Sequence, residues 1–149
     1  MAPWIFLITL AFTLYMVGVI WSMQALEYPL FAYVGQAEFP AYHARHNRAL
    51  PFLVILPSLL ALLSAVLLIW SRPSGVPLWG ALVVVVIDVA VVISTAVGQA
   101  PLHTKLDREG HSAAVVTRLV RSNWIRTVLW TVNALLLLGL GAVALLTVK

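Results

Sequence analysis

The sequence predicts an all-α protein, an integral membrane four-helix bundle, and three observations carry that prediction. First, 62% of its residues are hydrophobic and 9% are charged, against roughly 25% charged in a soluble domain. Second, it holds four apolar runs long enough to cross a hydrocarbon core, which takes about 20 residues of helix. Third, nearly every ionisable side chain falls in two stretches between those runs. Glu27, Glu38, His43, Arg45, His46 and Arg48 occupy the first. His103, Lys105, Asp107, Arg108, Glu109, His111, Arg118, Arg121 and Arg126 lie in or just after the second.

Span one runs from Pro3 to Met23 and span two from Ala49 to Trp70, the latter without a charge. Span three, Val76 to Gly98, holds one acid, Asp88; span four, Trp124 to Val148, holds Arg126 near its start. A run such as Val83-Val84-Val85-Val86 reads as a strand in a soluble protein, but here the length of the apolar stretch decides for helix. Residues 1–149 form one domain.

The five residues from Ser71 to Gly75 make a tight turn between spans two and three. The other two connections, Gln24 to Arg48 and Gln99 to Asn123, are long, and because four spans cross the membrane in alternation both emerge on one side of the bilayer. Arg45, Arg48, Lys105, Arg108, Arg118 and Arg121 place them in the cytoplasm. Arg72, Lys149 and both termini then lie outside. Trp4, Trp70 and Trp79 mark the outer interface, Trp21 and Trp124 the inner one. The run after Met1 is a retained span, not a cleaved signal, since no basic region precedes it.

Each long connection carries a short interfacial helix. Pro40 suits a first helical turn. Val115, Val116, Leu119 and Val120 recur at helical spacing with Arg118 and Arg121 off that face. Gln24-Ala25 and Pro29-Leu30-Phe31 echo Gln99-Ala100-Pro101-Leu102-His103, which suggests a duplicated two-helix unit. The net charge of +4 beside apolar spans points to anionic lipid headgroups and not to nucleic acid. With no cysteine, disulfides and thiolate metal sites are excluded.

Several side chains are candidates for chemistry. His43 and His46 are three apart, on one face of a helix, and Asn47 borders that face. Glu27 and His103 follow span ends on the same side, so Glu27, His43, His46 and His103 form a candidate metal-ligand set; haem or a divalent metal is compatible with it, and no cofactor is preferred. The alternative is hydrogen bonding to headgroups and loop carbonyls. Gln24, Gln99, Asn123 and Asn133 are amides in or beside apolar spans, which must find partners in one another, backbone or ligand. Arg126 either snorkels to the interface or points inward to neutralise an anion. Asp88, at membrane depth, is either functional, or protonated, or faces Asn133 or Thr131 within the bundle. Pro57 should kink span two.

Four motifs together resemble a family of small four-span bacterial membrane proteins, and more distantly the anthrone-oxygenase-like domain. They are Gln24 with Tyr28-Pro29-Leu30-Phe31; Phe39 with Tyr42-His43, His46 and Arg48; Gln99 with Pro101-Leu102-His103; and Asn123-Trp124-Ile125-Arg126-Thr127 with Trp130-Thr131. Where that domain has Pro-Leu-Asn after span three, this chain reads Pro101-Leu102-His103. The resemblance implies a bacterial plasma membrane and an oxidation that needs no metal or flavin.

Two functions are open. As an oxidoreductase, the bundle would hold a lipid-soluble aromatic or quinone-like substrate at its cytoplasmic face. His43, His46 or His103 would act as base; Asn123 and Arg126 would stabilise the anion; Gln24, Tyr42, Gln99 and Trp130 would contact the substrate. As a non-catalytic protein, it would be an accessory subunit of a larger membrane complex, a homo-oligomer, or a lipid or small-molecule binder. Its small residues (Gly18, Ala61, Ser64, Ala65, Gly80, Gly98, Gly139, Gly141) would then pack helices together or against partners.

Overall fold

A run of this length that must satisfy its own backbone groups within a membrane does so as a helix, and the computed structural model, which describes residues 1–147, is all-helical. Four helices run up and down: α1 (Ala2–Tyr33), α2 (Phe39–Leu68), α3 (Leu78–Glu109) and α4 (Ala113–Thr147). No strand occurs among the described residues. Val148, the expected end of span four, and Lys149, one of the two basic side chains assigned to the outer side, lie outside the described residues. Pro3 and Pro40 sit in the first turns of α1 and α2, where the missing N–H costs nothing.

The helical stretches expected in the two long connections are present, and each continues a span. True connections are only residues 34–38, 69–77 and 110–112. Gly110, at φ +76°, ends α3 in a backbone region open to glycine. At 30 to 35 residues the helices are about 45–50 Å long, against a hydrocarbon core of roughly 30 Å. The polar stretches account for the excess, so the bundle carries a helical extension at one end. Val115, Val116 and Leu119 are buried in that extension of α4, packed into the bundle and not laid along the interface. Trp21 and Trp124 meet edge to face, centroids 5.6 Å apart, at the expected inner boundary.

Three helices contain one wider, π-helical turn each: Met23–Glu27 in α1, Pro51–Ile55 in α2 and Thr95–Gln99 in α3. Each turn ends two residues before a proline, namely Pro29, Pro57 and Pro101. Proline lacks the N–H for the carbonyl four residues back, and its ring crowds that carbonyl. A wider turn moves the carbonyl aside. At Pro57 the freed Leu53 carbonyl accepts the Tyr15 hydroxyl at 3.3 Å. The distortion expected from Pro57 alone therefore occurs three times, and the turns of α1 and α3 followed by Pro-Leu reinforce the two-helix repeat.

α1 and α3 each pack against both α2 and α4. One core cluster fills the polar end, around Met16, Phe31, Phe39, Leu119 and Trp130. The other fills the far end, around Phe6, Leu68, Val84 and Leu137. Leucines and valines such as Leu7, Leu63, Val86 and Leu135 cover the outside, as contact with lipid requires. Of the small residues, Ala61 and Ala65 are buried and Gly80 lies against Leu140, whereas Gly18, Gly98 and Gly139 face open space. Asp88 is buried and accepts the Asn133 side-chain N–H at 2.8 Å, the pairing with Asn133 that was one of the arrangements expected for it.

Candidate functional site

The polar extension brings together residues from α1, α2, α3 and α4. His43 and His46 share a face of α2, as their spacing predicts. Rings from α1, α2 and α3 fix them. His43 stacks on Phe39 (5.4 Å, 12°), lies side by side and nearly parallel with His103 (5.3 Å, 16°), and meets Phe31 at its edge at 5.6 Å. His46 stacks on His103 at 5.5 Å. The three imidazoles lie nearly parallel, and His43, at 1% exposure, is sealed from solvent.

Their nitrogens engage in a line. Asp107 Oδ1 lies 2.7 Å from His43 Nδ1, His43 Nε2 lies 3.0 Å from His103 Nδ1, and His103 Nε2 lies 3.3 Å from the Tyr28 hydroxyl. Beyond it, the Arg126 guanidinium lies against the Tyr28 phenol. The direction of the line follows from its end. Asn47 Nδ2 donates to both Asp107 oxygens at 3.0 Å, so the carboxylate is the acceptor. His43 Nδ1–H then donates to Asp107, His103 Nδ1–H to His43, and the Tyr28 O–H to His103. Every neutral imidazole has one donor and one acceptor, and each is used once. This tautomer assignment comes from the hydrogen-bond network.

The inner end of the line faces a cavity of about 290 Å³ between α2 and α3, lined by Tyr28, His103, Gln99, Thr95 and Arg126 as well as Asn47 and Asp107. Arg126 is only 2% exposed, so it points into the bundle; the snorkelling alternative is corrected. No carboxylate pairs with it among the described residues, and its Nε has no partner. Asp107, by contrast, is 48% exposed. The line thus runs along the wall of this half-open cavity, from the buried Arg126 to the exposed Asp107.

The other expected site residues are divided between this cavity and its surroundings. His103, Arg126 and Gln99 line it, Gln99 also donating to Ser122 Oγ at 2.8 Å. His43 stands behind His103. His46 faces the other way: its Nδ1 meets Glu27 Oε2 at 3.1 Å, and with Tyr42 and Arg45 it lines a separate cavity of about 240 Å³. Asn123 and Gln24 bond to each other at 2.9 Å, and Gln24 also donates to the Val120 carbonyl; they tie α1 to α4 and line neither cavity. Trp130 is buried in the core. The expectation that Gln24, Tyr42, Asn123 and Trp130 share a substrate cavity with His103 is corrected by these packings.

Glu27, His43, His46 and His103 do come close, but no group of three such side chains among the described residues is placed to hold a metal ion. The reason is visible in the bonding: both nitrogens of His43 and of His103 are committed within the line, and Glu27 is turned to His46. The metal-ligand reading of this set is corrected to a hydrogen-bonded one. His111 stands apart, edge-on to Phe39. Sequence reasoning missed Tyr28 and Asp107 as site residues. Tyr28 sat within a motif, and Asp107 lies four residues beyond His103, on the same helical face, which was the available signal.

The chain matches no family model, no curated protein and no solved structure.

Proposed function

We propose that the chain is a membrane enzyme that removes a proton from a lipid-soluble aromatic substrate and prepares the resulting anion for oxidation. The observation that carries this reading is the unbroken donor–acceptor line from Tyr28, beside a buried Arg126 that has no carboxylate partner among the described residues, to the exposed Asp107. A substrate O–H or C–H in the cavity passes its proton to the Tyr28 oxygen. In concert the Tyr28 proton moves to His103 Nε2, the Nδ1 proton of His103 to His43 Nε2, and the Nδ1 proton of His43 to Asp107 and then to water. The substrate anion is left beside Arg126, a buried cation placed in advance.

When the anion is a delocalised carbanion, dioxygen can take its electrons without a cofactor. Dioxygen adds to the carbon, and loss of water from the hydroperoxide converts the CH2 group to a carbonyl. One oxygen atom stays in the product and the other leaves as water. This agrees with what the resemblance to the anthrone-oxygenase-like domain implies. The six basic side chains of the two long connections, against Arg72 and Lys149 beyond the other span ends in the sequence, support a cytoplasmic position for the site in a bacterial plasma membrane, with both termini outside.

The test is oxygen uptake by the purified protein in lipid nanodiscs, with a hydroxyanthrone as substrate. Uptake with carbonyl product, lost in Tyr28→Phe and in Arg126→Met, supports the reading. Absence of both uptake and a bound-anion absorption band overturns it in favour of a non-catalytic binding protein.

A further inference from the structure

The cavity that holds Tyr28 and Arg126 does not end at the polar extension. A second cavity of about 280 Å³ lies along the same pair of helices, α2 and α3, and shares Val54, Ile55, Thr95 and Ala100 with the first. Beyond the shared residues it is bounded by the apolar Leu59, Val91, Val92 and Ala96 and by Ser58, whose hydroxyl is turned to Met16 Sδ at 3.6 Å. Leu59, Val92 and Ala96 are exposed on the lipid-facing side, so the space opens sideways into the bilayer.

Its origin is local. The π-helical turns of α2 (Pro51–Ile55) and α3 (Thr95–Gln99) supply residues to both cavities: Val54 and Ile55 from one turn, Thr95 from the other. A wider turn displaces backbone and side chains from the regular helix surface. Two of them on adjacent helices, at the same depth, leave a cleft. The cleft runs from Val92 toward His103, on the order of 15 Å along α3, which exceeds what one acidic ring fills.

We infer that the substrate is an amphiphile that enters laterally from the lipid between α2 and α3. Its acidic ring lies at Tyr28 and Arg126, and its hydrocarbon tail occupies the apolar cleft past Ala96. The polar cavity is cationic at its inner end and the adjoining cleft is apolar. A single molecule with an ionisable head and an unbranched tail matches both, while a short polar solute matches only the first. This inference rests on the proposed site and adds the chemical class and route of its substrate.

The test uses 4-octylphenol carrying a diazirine at the end of its tail, with the full chain in nanodiscs. After illumination, labelling concentrated at residues 55–59 of α2 and 91–96 of α3, and displaced by unlabelled 4-octylphenol, is the expected result. Ala96→Trp, and separately Val92→Trp, fill the cleft from its exposed side and should abolish that displaceable labelling. Labelling spread over the lipid faces of all four helices, or labelling that neither variant changes, overturns the inference. Arg126→Met separates the two ideas. Displaceable labelling of the cleft that is unchanged in Arg126→Met, with no oxygen uptake by the unsubstituted protein, retains the cleft and defeats the catalytic reading. Oxygen uptake on a short hydroxyanthrone with no displaceable cleft labelling defeats only the cleft.

Discussion

Nε2 of His43 and Nδ1 of His103 meet at 3.0 Å, two imidazoles brought from the two halves of the chain and sealed together inside the bundle. Their bond is the link through which Tyr28 communicates with Asp107, and it requires both rings to carry their proton on the same nitrogen. We expect 15N NMR of the neutral-pH protein to show His43 and His103 as Nδ1–H tautomers. In free imidazole side chains the Nε2–H form is the usual one, so the measurement discriminates. Asn47→Ala, which removes the donor that marks Asp107 as acceptor, should broaden or mix the His43 signal. Finding His103 as Nε2–H would break the line at Tyr28.

The two rings should also be energetically coupled. His43→Ala and His103→Ala each leave a buried polar partner unsatisfied, which costs roughly 1–3 kcal/mol. The double variant removes both ends of one bond, so its cost should fall short of the sum by about 0.5–3 kcal/mol. Thermal unfolding of the four proteins in one detergent gives the cycle. Strict additivity would mean that the short contact contributes nothing.

Arg126 should show the opposite relation between stability and activity. It is 2% exposed, without a carboxylate partner among the described residues, and a buried charge in that state is unfavourable. Arg126→Met keeps the length and removes the charge. We expect it to be as stable as the unsubstituted protein or more so, by on the order of 1 kcal/mol, while losing the oxygen uptake described above. A large loss of stability would show that the guanidinium is a structural group.

How much of this was legible in the sequence depended on the range of the interaction. The four spans, their shared polar end and the buried, paired state expected as one option for Asp88 follow from apolar run length and charge placement, which are local quantities. His43 and His103 were recognised because imidazoles are rare in such a chain. Their bonding to each other was not, because a ring nitrogen's partner depends on how α2 and α3 are rotated, and run length does not encode that. Tyr42 and Trp130 resemble binding residues by type, yet one faces the far cavity and the other the core. Helix rotation, of α2 for Tyr42 and of α4 for Trp130, separates them from His103. The resemblance pointed to Arg126 but carried no information on Tyr28 as the group it touches.

Asp88 and Asn133 offer a test within the spans. Asp88→Asn keeps an amide that can still accept from Asn133, so the change in stability should stay within about 1 kcal/mol. Asn133→Leu leaves the carboxyl without its donor and should cost roughly 1–2 kcal/mol. The double variant Asp88→Leu with Asn133→Leu replaces both groups by apolar ones of similar size and should recover most of that loss. Unfolding in mixed detergent micelles checks all three. If Asp88→Asn alone abolished activity without loss of stability, the carboxyl would belong to the function and not to packing.

The π-helical turns make the sharpest prediction about how the chain positions its site. A π-helical turn accommodates one more residue than an α-helical turn over the same rise, so deleting one residue from it can restore a regular helix without rotating the C-terminal remainder of that helix. In α3 the proline at 101 holds the turn open. Deleting Ala96 together with Pro101→Ala should therefore yield a continuous α-helix in which His103 still reaches His43, with its tautomer unchanged. Deleting Val86, in the regular part of α3, removes a residue with no turn to absorb it and rotates the rest of the helix by about 100°. His103 would then leave the line and the Nδ1–H signature would disappear. The cleft should respond differently from the line, since straightening α3 closes the space between Ile55 and Thr95. The Ala96 deletion should keep the tautomers and lose the displaceable labelling. Retention of the His43–His103 signature in the Val86 deletion would mean that the π-helical turns do not set the register of the site.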